Sequence, residues 1–357
     1  MPKLLFVTKY IDHILYFFLK ELAQKVDLTI LHENKNEWSK RAAEEGLPAI
    51  HCFPDARFDR RFRQRIESMT PASGWDLVQS FHGNRQLTNL IRWNRNRLPL
   101  IAYRARIGHL KFRENPSVYW AVRNPNIAAV AAVSAEVKRY LESFRIFPVR
   151  NVRVLHHGLN PEWIDQQVAQ TCPLREQLGI PENALIVASM AALRPVKRFD
   201  YIVHAAKKLS DQPVHFVHIG EPRGFDQLAV DLPQVHFMGQ QPRPIPVLAA
   251  ADVFAMTSHN EAFGRANLEA MACSKPVIGS NTGGLLDLVV PDVTGQLFES
   301  SDPDSLVACV ERYLEDRSLI TEHGRNARAR VEERFTTADM LERYLALYQD
   351  VLSQAAA

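Results

Sequence analysis

The sequence lacks any apolar stretch approaching the roughly 20 residues that a membrane-spanning helix requires. Its opening run, Met1-Pro2-Lys3-Leu4-Leu5-Phe6-Val7, is too short for a signal-peptide core and reads as a first buried strand. A cytoplasmic protein is therefore expected. Cysteine is scarce. Cys52, Cys172, Cys273 and Cys309 follow no spacing typical of a zinc site or a disulfide framework, so they are read as reduced packing thiols. Low-complexity tracts and short internal repeats are missing too, which excludes a disordered or repeat architecture.

What is present is an ordinary globular composition, 46% apolar and 23% charged, over 357 residues, enough for two domains. The net charge of +3 conceals an asymmetry: residues 1–165 carry 26 Lys and Arg against 16 Asp and Glu, and the remainder 17 against 24. A basic first half suits an anionic surface or substrate.

Strand-like and helix-like segments alternate. Lys3–Thr8, Asp27–His32, Asp76–Phe81, Leu100–Tyr103, Ile127–Val133 and Val152–His156 are short apolar runs of strand type. Leu15–Lys25 has helical spacing, and Ser134 begins a capping pattern for a helix to about Phe144. The second half repeats the alternation with strands at Leu185–Met190, His215–Ile219, Val235–Met238, Val253–Met256 and Pro276–Gly279. Helical segments at Asp200–Leu209, Ile245–Ala250 and Arg265–Cys273 lie between them. Two such series predict two doubly wound, mostly parallel sheets. Gly, Asn and Pro interrupt the pattern near Asn160–Cys172, where a linker is expected, and Thr336–Leu352 reads as a final amphipathic helix.

Three strand-end segments could carry chemistry. His259-Asn260-Glu261-Ala262-Phe263-Gly264-Arg265 leaves a buried strand and enters a helix that contains Glu269. A helix N-terminus offers free N–H groups to a phosphate, a glycine lets a ligand approach, and a carboxylate can accept two hydrogen bonds from a diol. Arg194-Pro195-Val196-Lys197 places two cations three residues apart after Leu185–Met190, which suits a diphosphate. Ser280-Asn281-Thr282-Gly283-Gly284 follows Pro276–Gly279. Taken singly, each has a plain alternative: favourable charge at a helix start, a solvated loop, an ordinary turn.

Taken together and in this order, these segments resemble the retaining glycosyltransferases of family four, which have the GT-B fold. The family's Glu-x7-Glu motif matches Glu261 through Glu269, its Arg-x-x-Lys pair matches Arg194 and Lys197, and its paired glycines match Gly283-Gly284. Gly220, Phe237-Met238-Gly239 and Thr294-Gly295 also fall where the family has similar residues. The resemblance is carried mainly by residues 150–350.

It implies two Rossmann-like domains facing a central cleft, with an acceptor-binding domain over 1–165, a donor-binding domain over 166–335 and a C-terminal helix, 336–357, packing back towards the first. Arg194, Lys197 and Glu261 would be catalytic: the cations would hold the diphosphate and Glu261 would contact the donor sugar. Glu269 would bind the ribose. Phe263, Gly264, Arg265, Met238, Gly239 and Gly220 would complete the donor site, with backbone around Met238–Gln240 meeting the base. No cofactor and no metal would be needed, because the leaving phosphate takes the acceptor's proton and cations stabilise its charge.

There are departures from the family pattern. The loop Lys9-Tyr10-Ile11-Asp12-His13 contains no glycine, Ala192 stands where an Arg is usual, and Asp287 stands where Glu is common. Ser274 occupies a common C-cap glycine position. In place of a family His after Leu100–Tyr103, the candidates are Arg104, Arg106 and His109, with His82 a further acceptor-side candidate.

Other features read more plainly. Asp302-Pro303-Asp304 mimics a metal-binding Asp-x-Asp but fits a helix start with Pro at its first position. His156-His157-Gly158 reads as a turn. The basic, aromatic-interleaved stretches Arg57–Arg65 and Arg92–Arg97 admit an anionic membrane surface, an anionic glycolipid or a solvated face; nucleic acid is not expected as a partner.

The expected function is transfer of a hexosyl unit from a nucleotide sugar to a glycan or glycolipid acceptor of the cell envelope, at the inner face of the membrane. A nucleotide-sugar epimerase of the same fold and a non-catalytic sugar-binding protein are the rivals.

Overall fold

The computed structural model describes the chain apart from residues 34, 52–59, 82–83, 95–97, 109–118, 120–123, 125, 144–150 and 357. The chain divides into two compact units, Met1–Gly158 together with Thr337–Ala357, and Leu159–Thr336.

The first unit is built on parallel strands β1 (Lys3–Thr8), β2 (Asp27–His32), β3 (Ala49–His51), β4 (Leu77–Phe81), β5 (Leu100–Arg104), β6 (Ile127–Ala132) and β7 (Val152–Val154), in the order β3-β2-β1-β4-β5-β6-β7. Their near-continuous apolar sequences are those of strands buried on both faces, which a parallel sheet requires. Asp12 caps the helix His13–Leu22 by accepting from Leu15 N at 3.0 Å. Ser134 caps Ala135–Glu142 in the same way, through Val137 N at 3.2 Å.

The second unit contains β8 (Leu185–Met190), β9 (Val214–Ile219), β10 (Val235–Phe237), β11 (Val253–Met256), β12 (Val277–Ser280) and β13 (Gly295–Phe298), all parallel, in the order β10-β9-β8-β11-β12-β13. On one face, Phe199, Ile202 and Ala206 of the helix Phe199–Lys208 share a core with Phe216, Val310 and Tyr313. Asp302 caps Pro303–Glu315 by accepting from Asp304 N, and Asp304 pairs with His204 at 2.7 Å. These carboxylates serve a helix start and a surface pair. Ser274 adopts the left-handed conformation its position demanded, at φ +57°.

The domain boundary expected at 165/166 falls inside a helix, Pro161–Val168, and is corrected to Gly158/Leu159. Asn160 caps that helix through Trp163 N at 2.7 Å, and the helix packs on Pro244–Ala250 and Arg265–Ala272 of the second unit. The chain leaves the second unit again at Thr336. Leu159 N donates to Phe335 O at 2.9 Å, so both crossing points lie side by side within that unit. The helix Thr337–Ala356 belongs to the first unit, where it packs on His13–Leu22. Among the described residues no helix is long and apolar enough to cross a membrane.

Tyr344 is central to that last packing. Its fully buried ring lies 5.0 Å from Phe18 and 6.3 Å from Phe81, and its hydroxyl has no hydrogen-bond partner among the described residues. Tyr344→Ala is expected to lower the unfolding free energy of the first unit by about 3–5 kcal/mol, the usual cost of removing a buried ring. Tyr344→Phe should cost less than about 1 kcal/mol, because it removes only an unbonded hydroxyl. Urea denaturation of both variants checks this; similar small losses in both would show that the ring contributes little.

Candidate functional site

The strand order of the second unit reverses between β8 and β11, so the loops leaving their carboxyl ends diverge. A doubly wound sheet binds ligands at such a point. Three bonds tie the two loops together. His259 N donates to Val196 O at 3.0 Å, Thr257 Oγ1 donates to Lys197 O at 2.7 Å, and Lys197 Nζ donates to Glu261 Oε2 at 2.7 Å. The Lys197 and Glu261 side chains are largely shielded, 16% and 18% exposed, so their attraction is less screened than that of a surface pair. Arg194 precedes the short turn Pro195–Lys197 in an extended conformation. Its side chain is exposed, with no partner among the described residues.

The backbone of Glu261–Phe263 is held from behind by the paired glycines. Gly284 N donates to Glu261 O at 2.8 Å. A Cβ on Gly283 would overlap Glu261 O, and one on Gly284 would overlap Ala262 O and come within 2.6 Å of Phe263 Cα. The close backbone approach at Gly283-Gly284 is made by this chain's own loop. Gly264, at φ +88°, opens the helix Arg265–Ala272, and a Cβ there would overlap Asn267 Nδ2. Glu269 sits in the second turn of that helix, 7% exposed. The Phe263 ring is buried and lies 6.2 Å from Phe335, so this residue secures the loop from its inner side.

A cavity of about 280 Å³ opens beside this point, at the ends of β8 and β9. Ala191, Gly220, Glu221, Arg223, Gln240 and Gln241 line it. Gly220 N donates to Gly239 O at 2.8 Å, and Gly239 turns at φ +64°. Met238 N donates to His218 O at 2.9 Å, which fixes the Met238–Gln240 backbone at the cavity edge. Glu221 and Arg223 form an ion pair at 2.8 Å.

Beneath the cavity lies His218, 1% exposed. Its Nε2 is 3.0 Å from Ala191 O and its Nδ1 is 2.9 Å from Ser189 Oγ. A carbonyl can only accept, so Nε2 carries the proton and donates. Burial pushes the imidazole down to about 4. The ring is therefore neutral at pH 7.

The acceptor-side candidates lie in the first unit. Arg104 is buried and donates to the carbonyl oxygens of Arg106 and Gly108, so its guanidinium shapes its own loop; burial pushes it down to about 10. Arg106 is exposed, and His82 and His109 lie outside the described residues. The ring of Tyr103 stacks on Phe81 at 4.1 Å, and its hydroxyl lies 2.9 Å from His157 Nε2. Among the described residues no group of three or more His, Cys, Asp and Glu could hold a metal ion.

Sequence reasoning named the strand-end glycine at 220 but missed Glu221, Arg223 and Gln241 just beyond the strand ends, and Ser189 and His218 just before them. Their shared signal was position alone: each lies within four residues of the end of β8, β9 or β10.

A family model described as glycosyl transferases group 1 matches residues 172–330. The chain is 30% identical over 186 residues to N-acetyl-alpha-D-glucosaminyl L-malate synthase of Bacillus anthracis, a match that covers 50% of this chain and 49% of that one. It thus spans about half the length of that relative. It is 25% identical over 358 residues to the putative glycosyltransferase YtcC of Bacillus subtilis (strain 168), covering 93% of this chain and 85% of the relative. In fold it is similar to Anabaena HepE, solved in complex with UDP and glucose, at a TM-score of 0.81 and 20% identity, over 98% of this chain and 100% of that one. The parallel sheets are those of two Rossmann-like domains, as in GT-B proteins, and residues 172–330 are similar to the group 1 glycosyl transferases.

Proposed function

We propose that the chain transfers a hexosyl unit from a nucleotide-diphosphate sugar to an acceptor hydroxyl, with retention of configuration and without a metal ion. The observation that carries this reading is the Lys197–Glu261 pair at the β8/β11 reversal, with Glu269 in the adjoining helix and a base-sized cavity beside β8. HepE, similar in fold, is solved with UDP and glucose, which supports a nucleotide-sugar donor.

In this reading the base enters the cavity against Gly220 and the Met238–Gln240 backbone. Glu269 accepts from the ribose hydroxyls. The diphosphate meets Arg194, Lys197 and the N-terminus of Arg265–Ala272, whose free N–H groups attract an anion. Negative charge grows on the leaving phosphate as the glycosidic bond breaks, so fixed cations lower the barrier more than they strengthen donor binding. A phosphate oxygen takes the proton of the attacking hydroxyl on the same face, which accounts for retention without a side-chain base. Glu261 holds the sugar hydroxyls and sets the position of the anomeric carbon.

Nucleotide titration of two variants tests the division of roles. Glu269→Ala should weaken both the nucleoside diphosphate and the intact donor by about 1.5–3 kcal/mol, the value of a charged hydrogen bond. Glu261→Ala should leave the diphosphate unchanged or slightly tighter, because Lys197 loses its competing partner, and should lower turnover. Chelation should alter neither binding nor rate. Equal loss of diphosphate affinity in both variants would overturn the assignment, and abolition of activity by chelator would overturn the metal-free mechanism.

The acceptor in this reading is a cell-envelope glycan or glycolipid presented at an anionic membrane surface. Support comes from the net charge of +10 over residues 1–165 and from the basic stretches Arg57–Arg65 and Arg92–Arg97, of which residues 57–59 and 95–97 lie outside the described residues. Each basic residue near such a surface contributes about 1 kcal/mol. Changing Arg60, Arg61 and Arg63 to Ser should reduce co-sedimentation with anionic vesicles and leave nucleotide binding intact. Undiminished co-sedimentation removes the membrane assignment.

A further inference from the structure

We propose that His218 is a positioning residue for the nucleotide cavity: its imidazole N–H holds the Ala191 carbonyl and, through it, the loop that carries Arg194 and Lys197. The inference rests on the nucleotide-binding reading given above and assigns a residue that this reading leaves unused.

The β8–β9 ladder continues one step past the end of β8, where Ala191 N donates to Ile219 O at 3.0 Å. Beyond that step the backbone of the neighbouring strand turns away. Gly220 adopts φ +126° and commits its N–H to Gly239 O at 2.8 Å, on the far side of β9. The Ala191 carbonyl lies so close over Gly220 that a Cβ there would overlap its oxygen. That carbonyl receives its hydrogen bond from a side chain, His218 Nε2, at 3.0 Å.

The ring itself is held from every described direction. Ser189 Oγ meets Nδ1 at 2.9 Å, and Phe199 and Phe237 stand edge-on to the imidazole at 5.2 and 5.9 Å. An apolar sleeve of this kind leaves the ring one orientation and one tautomer. Two residues further along, Leu193 N donates to Glu221 O at 2.9 Å. The loop is therefore pinned at Ala191 and Leu193 on either side of Ala192, directly before Arg194. Ala191, Ala192, Gly220 and Glu221 all line the cavity, so one set of contacts fixes both the cavity wall and the start of the cationic loop.

An amide can replace one imidazole nitrogen at a time. Gln places its NH₂ near the Nε2 position and can still donate to Ala191 O; Asn reaches only the Nδ1 position, and Phe donates nothing. Calorimetric titration with UDP, GDP and ADP, run well below each variant's melting temperature, separates the outcomes. His218→Asn and His218→Phe should weaken the bound diphosphate about tenfold, while His218→Gln stays within about threefold of the unaltered protein, as expected for loss or retention of one buried hydrogen bond. Equal weakening in all three variants would overturn the proposal, because the ring would then matter for its packing alone. Lower melting temperatures with unchanged affinities would overturn it too. An unaltered protein that binds none of the three diphosphates would instead overturn the nucleotide reading, and this inference with it.

Discussion

The bonds across the β8/β11 reversal are the constraint on which the site depends. Loops that leave a sheet at a strand-order reversal point to opposite sides and share no ladder, so their spacing must be set by contacts of their own. Here it is set by His259 N to Val196 O, Thr257 Oγ1 to Lys197 O, and Lys197 to Glu261. The first two are short and uncharged and fix the backbone. The third is charged and is the one an anionic ligand can compete for. Rigid walls with one exchangeable pair suit the proposed phosphate site, which need not rebuild itself to take an anion.

A second layer of constraint comes from glycines whose Cα atoms lie under carbonyl oxygens. Gly283 and Gly284 accept the Glu261–Phe263 backbone, Gly220 accepts Ala191, and Gly295 accepts Val277. In each case the loop or strand could not approach if a Cβ were present. The carboxylate-bearing Glu261 therefore owes its position to residues more than twenty positions later in the chain. The same physics explains why Phe263 points inward: with the loop pressed onto Gly284, the ring meets Phe335 and seals the loop from behind.

The apolar strand runs and the strand-end loops were legible in the sequence because both are local. Leu185–Met190 and Val253–Met256 were bounded correctly by composition alone, and Ser134, Asp302 and Ser274 were read from helix-end chemistry. Contacts that cross the sheet were not legible. Nothing local distinguishes His218 from the other histidines of β9 and β10, yet His215 and His236 face one another at 3.0 Å while His218 is sleeved beneath the cavity. The boundary between the units was misplaced for a similar reason. Asn160 and Pro161 look like a linker, but they are the cap and first turn of a helix whose partners lie some eighty to a hundred residues later. Arg104 resembled a substrate-facing cation; its guanidinium instead closes a turn of its own loop.

The charges at the site differ in availability, and on the proposed reading that difference gives an order of events. Lys197 is already engaged by Glu261, whereas Arg194 is exposed and has no partner among the described residues. An approaching diphosphate therefore meets Arg194 first, at little desolvation cost. Drawing Lys197 away from Glu261 is harder, because both side chains are shielded and a carboxylate left alone there loses a charge-assisted bond. A donor whose sugar hydroxyls replace that bond removes the penalty; a bare nucleoside diphosphate does not. The pair thus couples phosphate capture to the presence of the sugar, and it favours the intact donor over the product nucleotide without any additional residue.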